Sequence, residues 1–153
     1  MGSLELKLPP PVVALLFGLV MWLVSSLGGA ANVSFRYRLG AAVAFASIGV
    51  VFGFAGMASF VRAKTTMNPT KPRATSSLVT IGVFRFTRNP MYLSLVLYLV
   101  AWAVYLSNWL ALLLVPAFAL YINHFQIKPE ERALSELYGQ EYAAYKAKVR
   151  RWL

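Results

Sequence analysis

The stretch NPMYLSLVLYLVAWAVYLSNWLALLLVPAFALYINHFQI, Asn89 to Ile127, decides the fold. It runs for 39 residues without a Lys, Arg, Asp or Glu. A bilayer core about 30 Å thick is crossed by roughly 20 helical residues, so this run is too long for one span and suits two. Its middle reads Tyr105-Leu106-Ser107-Asn108-Trp109. Ser-Asn is a natural tight-turn pair, and the adjacent Trp is typical of a membrane interface. The pattern predicts a helical hairpin, with 90–106 going out and 109–127 returning.

Two more uncharged runs precede the hairpin, over 8–35 and 39–61. They predict spans at about 11–29 and 39–61. The expected architecture is all-α: one integral membrane domain over 1–153 with four transmembrane helices. A loop over 62–89 and an amphipathic C-terminal helix over 130–148 lie outside the bilayer. The start of the chain also fits a signal peptide, with Lys7, an apolar stretch and the small residues of Ser25 to Ala31. Pro9-Pro10-Pro11 and the length of the run favour a retained helix. In the second span, Gly49-x-x-x-Gly53 permits close helix approach. Packing within the chain is preferred to a homodimer seam.

Charge gives an orientation. With four spans, Lys7, Arg62, Lys64, Lys71, Arg73, Arg85, Arg88, Lys128, Arg132, Lys146, Lys148, Arg150 and Arg151 share one side, and only Arg36 and Arg38 lie on the other. Cytoplasmic loops carry the Lys/Arg excess, so both termini are expected in the cytoplasm, with the chain in the inner membrane if it is bacterial. The net charge of +10 therefore orients the protein against lipid headgroups. A nucleic-acid-binding domain would carry about a quarter charged residues, whereas this chain has 13%, with 59% hydrophobic. No Cys is present, which excludes disulfides, a thiolate nucleophile and zinc-thiolate sites. A single His and no Asp leave no visible metal set. No Asp, Glu, Lys, Arg or His falls in 11–29, 39–61 or 91–123, which argues against a proton-coupled transporter.

Folding the hairpin back brings Arg88–Tyr92 and His124–Glu131 to the same face. Asn89 and Pro90 suit the start of a helix, and Arg88 beside a helix N-terminus suits an anion. Glu130 and Glu131 follow Pro129. They read either as first-turn acids of a helix or as carboxylates for an amine or ribose hydroxyls. His124 reads as an interfacial hydrogen-bonder or a site residue. Leu134, Leu137, Tyr138, Tyr142 and Tyr145 make one face of the C-terminal helix, which should lie on the interface or dock against the loop.

The segment Thr80-Ile-Gly82-Val-Phe84-Arg-Phe-Thr-Arg88-Asn-Pro90-Met-Tyr92 resembles the signature of isoprenylcysteine carboxyl methyltransferases and their bacterial relatives, a group that also takes in phospholipid methyltransferases. So do Thr65-Thr66-Met-Asn68-Pro69 and the tail from Glu130-Glu131 through Tyr138-Gly139, Tyr142 and Tyr145 to Val149-Arg-Arg151-Trp152. The resemblance covers about 60–153. It implies an integral-membrane methyltransferase that uses S-adenosylmethionine on a lipidic or amphipathic acceptor, of the carboxyl or thiol type. Phospholipid N-methylation is the alternative, and a membrane reductase is more distant. The resemblance implies that Thr80, Gly82, Phe84, Arg88, Pro90, Tyr92, His124, Glu130 and Glu131 line the cofactor site. Arg88 and Glu131 are assigned a catalytic role as well. Many relatives carry His at the place of Asn89, and the Gly-x-Gly element of phospholipid N-methyltransferases is absent.

Overall fold

The computed structural model describes residues 6–27, 33–64 and 77–153. The stretch Thr65–Pro69, the charges Lys71 and Arg73, Glu5 and the small residues 28–31 lie outside the described residues.

Among the described residues the chain is all-α. Helix α1 spans Pro10–Ser25 and α2 spans Phe35–Arg62. A short 3-10 turn at Gly82–Arg85 leads to α3, Pro90–Leu106, and α4, Trp109–Ile122. A π turn at Asn123–Ile127 then runs directly into α5, Lys128–Lys148. Helix α1 stops four residues short of the expected end. The Ser25 and Ser26 hydroxyls donate to the carbonyls of Trp22 and Leu23, completing its last turn. Helix α2 begins four residues early, so Arg36 and Arg38 sit in its first turn rather than in a loop.

The hairpin forms at the expected place. Ser107 takes a left-handed conformation (φ +53°) and ends α3. The Asn108 side chain accepts the Ala111 N–H at 3.1 Å and caps α4. The Asn108 amide also donates to the Ser25 carbonyl, tying the hairpin tip to the end of α1. At the opposite end, the Gln126 amide donates to the Leu8 carbonyl at 2.8 Å. Pro129 has no N–H to offer the preceding turn, and the Phe125 carbonyl accepts the Leu6 N–H instead, at 3.1 Å. These contacts alternate the helices up and down. The start of α1, the end of α2, the start of α3 and the π turn share one end of the bundle.

The core lies between α1, α3 and α4, where Met21, Phe118, Ile122 and Ile127 are fully buried. Helix α2 packs on α3 through a glycine face. A Cβ on Gly49 would stand 2.9 Å from the Tyr98 ring, and one on Gly56 would stand 3.0 Å from Met91. The glycines are thus used inside the chain, as expected. The outward faces remain apolar: Leu15, Phe54, Leu113 and Leu120 are all exposed. Two helical paths, Phe35–Arg62 and the continuous Trp109–Lys148, are long and apolar enough to cross a membrane by length and composition, and α1 and α3 are shorter apolar helices.

The expected straight amphipathic helix over 130–148 is bent. Gly139 takes φ +44° and ψ −114°, and the chain folds back there. The Lys146 ammonium donates to the Ser135 hydroxyl at 3.2 Å, whereas eleven residues of straight helix would separate them by about 16 Å. The returning arm docks on the loop. Tyr142, Tyr145 and Val149 pack with Leu78, and the Tyr145 hydroxyl donates to the Phe84 carbonyl at 2.7 Å.

Candidate functional site

The site is assembled where α3 begins, α4 passes through the π turn into α5, and the C-terminal residues return. Leaving α5, Val149 is extended, and the last residues run beside Thr87–Asn89. The Arg88 N–H donates to the Arg150 carbonyl at 3.0 Å, and the Thr87 hydroxyl and the Asn89 amide donate to the Arg151 carbonyl. Asn89 holds the N-cap position before Pro90, but its side chain does not cap α3. It is drawn instead to the returning tail, because that carbonyl offers a second-segment partner 2.9 Å away.

Three ionic side chains meet there. Arg88 Nη2 lies 3.1 Å from Glu131 Oε1. Arg151 grips the same carboxylate with two bonds, Nε to Oε1 at 3.0 Å and Nη2 to Oε2 at 2.6 Å. Its remaining nitrogen, Nη1, donates to the Asn123 side-chain oxygen at 3.0 Å. Arg88 is the inner cation and Arg151 the outer: their side chains are 11% and 33% exposed, with Glu131 at 15%. The hydrogen bonds to Glu131 hold the Arg151 guanidinium charged above its ordinary pKa. Among the described residues, Arg88 Nε and Nη1 are buried and have no hydrogen-bond partner.

The neighbouring carboxyl behaves differently. Glu130 accepts a hydrogen bond from the Tyr92 hydroxyl at 2.5 Å. Burial raises its pKa to about 8; the Tyr92 hydrogen bond opposes the shift and the Glu131 charge adds to it. Glu130 is thereby held in its neutral form near pH 7, beside a Glu131 carboxylate that two guanidiniums contact. Both acids do lie in the first turn of α5, but α5 follows the π turn directly and no side chain caps it. Burial also raises the Tyr142 and Tyr145 hydroxyls, that of Tyr145 to about 12, with the Arg88 charge opposing the shift in both.

Of the sequence-derived residues, Arg88, Tyr92, Glu130 and Glu131 converge, with Pro90 buried beside them at the start of α3. Thr80, Gly82 and Phe84 lie on a neighbouring segment clamped between α2 and the C-terminal arm. A Cβ on Gly82, at φ +62°, would stand 2.6 Å from the Ser59 hydroxyl, and the Phe84 ring meets Phe60 edge-on. His124 is exposed in the π turn, its ring edge-on to Phe125. Asn123, one residue earlier, is the side chain that reaches the charged cluster. A wide surface depression of about 480 Å³ reaches the cluster at Glu131 and is otherwise lined by Lys128, Arg132, Ser135, Glu136 and Lys146. That is within the range of small-molecule sites. Sequence reasoning missed Arg151 and Asn123. The only signal for Arg151 was its place in the tail Val149-Arg-Arg151-Trp152, and periodicity does not separate it from the other basic residues there.

The fold and site define a helical, membrane-associated protein with one charged mouth. The chain belongs to the phospholipid methyltransferase family, whose model matches residues 35–141, and methyltransferase activity is the function at the level of that family. An uncharacterized protein of Haemophilus influenzae is 57% identical over 63 residues, which are 41% of this chain and 100% of that protein. No solved structure matches the chain.

Proposed function

We propose that the protein is an S-adenosylmethionine-dependent integral-membrane methyltransferase acting on a lipidic or amphipathic acceptor. Its four spans are α1, α2, α3 and α4, with both termini in the cytoplasm. The distribution of basic residues supports this orientation, and the apolar outer faces support the spans.

The observation that carries the reading is Arg88, a buried guanidinium with two unsatisfied donors beside a carboxylate cluster. A buried unpaired donor is costly, and a ligand carboxylate would satisfy one of the two, since Nε and Nη1 lie on opposite edges of the guanidinium. The cofactor offers such a carboxylate, together with an ammonium and ribose hydroxyls for Glu131, so the residues present fit it. When bound, S-adenosylmethionine supplies an electrophilic methyl group on a sulfonium centre. Tyr92 and Glu130 form the buried wall behind the site. Thr80, Gly82 and Phe84 form the loop assigned to the adenosine, held rigid by Tyr145. His124 is assigned to the site by resemblance alone. Transfer is an in-line displacement, so the main task of these residues is alignment, and closing the polar groups away from water strengthens each contact.

The family description favours a phospholipid acceptor as the second reading, beside carboxyl or thiol methylation. Both can be tested with the purified chain in lipid–detergent micelles. Calorimetric titration with S-adenosylmethionine should show binding that Arg88→Met weakens at least tenfold; absence of binding by the wild type would remove the assignment. Labelled methyl transfer into a membrane extract then separates the acceptors. An N-methylated headgroup survives mild base, and a methyl ester does not.

A further inference from the structure

We propose that Arg151 is a positioning residue, holding the Glu131 carboxylate in the orientation from which it meets the cofactor; this rests on the methyltransferase reading of the site. Arg88 makes one ion-pair contact with Glu131, 3.1 Å from Oε1, and a single contact leaves a carboxylate free to turn. Arg151 makes two, one to each oxygen, and a two-pronged guanidinium contact sets the plane of a carboxylate as well as its distance. Each carboxylate oxygen accepts about two hydrogen bonds. Oε1 meets both arginines. Among the described residues Oε2 takes only Arg151 and keeps an open acceptor position, on a residue that lines the depression. The outer guanidinium thus orients the carboxylate, while the inner one has Nε and Nη1 unpaired among the described residues.

The way Arg151 is delivered distinguishes it from a loose surface ion pair, which would contribute little. Its carbonyl is held by Asn89 and Thr87, and the preceding carbonyl by the Arg88 N–H. Its Nη1 is held by Asn123 of the π turn. Trp152, next in the chain, packs against the core between the helices. The guanidinium is therefore referenced to the start of α3, to the π turn and to α5 together, the segments that supply Arg88, Asn123 and Glu131. A lysine at this position would keep the charge and lose the fork. Arg151 acts through Glu131 and needs no contact of its own with the cofactor.

The test uses the full chain in micelles, titrated with S-adenosylmethionine by calorimetry and melted with and without saturating cofactor. Arg151→Lys is expected to raise the Kd about tenfold and Arg151→Met at least as much. Asn123→Ala, which removes only the brace on Nη1, should raise it about threefold. The melting temperature without cofactor should move little, while the rise that cofactor produces in the wild type should shrink in the same order. If Arg151→Met does not fold, the lysine and Asn123 variants decide the matter. A Kd within twofold of wild type in those variants, or a lowered melting temperature with an unchanged cofactor-induced rise, makes Arg151 a structural staple and overturns the inference alone. No binding by the wild type overturns the methyltransferase reading and this inference with it.

Discussion

The two ends of the helical bundle handle charge in opposite ways. At the end that holds the α3–α4 turn, the Arg38 guanidinium lies 5.3 Å from the Phe35 ring centroid and 6.0 Å from that of Tyr105. No carboxylate lies nearby in sequence, since the five Glu residues are at 5, 130, 131, 136 and 141. Such cation–aromatic contacts contribute about 0.5–1 kcal/mol at exposed sites; Arg38 is half-buried, and among the described residues its Nε has no hydrogen-bond partner. The other end withdraws the Arg88 guanidinium and the Glu131 carboxylate from water, with Arg151 partly exposed outside them, and among the described residues leaves Arg88 with two unmet donors. Burying ions costs several kcal/mol each and is often no more stable than apolar packing. The first end leaves one buried guanidinium nitrogen unmet among the described residues and holds its cation on aromatic rings. The second is costlier than anchoring requires, as expected of a place shaped for a ligand.

The contrast can be broken most directly at Glu131. Glu131→Gln leaves two guanidiniums without their counter-charge. It is expected to lower stability by about 3 kcal/mol, the low end for breaking a buried pair because Arg151 can turn toward water. Cofactor affinity should fall with it. Chemical denaturation and calorimetry read the two effects, and a variant that is as stable and binds as tightly as wild type would erase the difference between the ends.

A smaller effect is expected at Glu130. Its folded pKa of about 8 lies above the ordinary carboxyl value of 4.5, so the folded state keeps a proton that the unfolded state loses. The contribution is full below about pH 4.5 and lost as pH rises through 8, with a slope of at most about 1.4 kcal/mol per pH unit. Melting temperatures across that window should fall in the wild type and fall less steeply in Glu130→Gln. Parallel curves would mean that Glu130 is not held neutral. The smallest change belongs to the opposite end. Arg38→Ala should cost under about 1 kcal/mol and leave cofactor affinity unaltered. A large loss of binding there would show that the two ends are coupled.

Much of the helical framework was legible in the residues. The 39-residue uncharged run with Ser107-Asn108 at its middle places the hairpin, because a left-handed Ser and a capping Asn suit a tight reversal. The glycines of α2 read as a close-approach face and meet α3 at Tyr98, Ser94 and Met91. Arg88, Tyr92, Glu130 and Glu131 were marked as neighbours by the hairpin geometry alone. Gly139 was not recognised as a fold-back, since a lone glycine in an amphipathic pattern is compatible with a continuous helix. The π turn was equally invisible. It depends on Pro129 withholding an N–H while Leu6, far away in sequence, fills the vacated carbonyl.

By itself the sequence determined the helices, the place of the turn and the segregation of charge to one end, because hydrophobic runs and breakers act locally. The tertiary structure decided which partner each charge takes. It gave Glu131 to Arg88 and Arg151, Glu130 to Tyr92, and Asn89 to the returning tail. Those choices depend on distances of a few ångströms between segments about 20 to 60 residues apart, and no local periodicity encodes them.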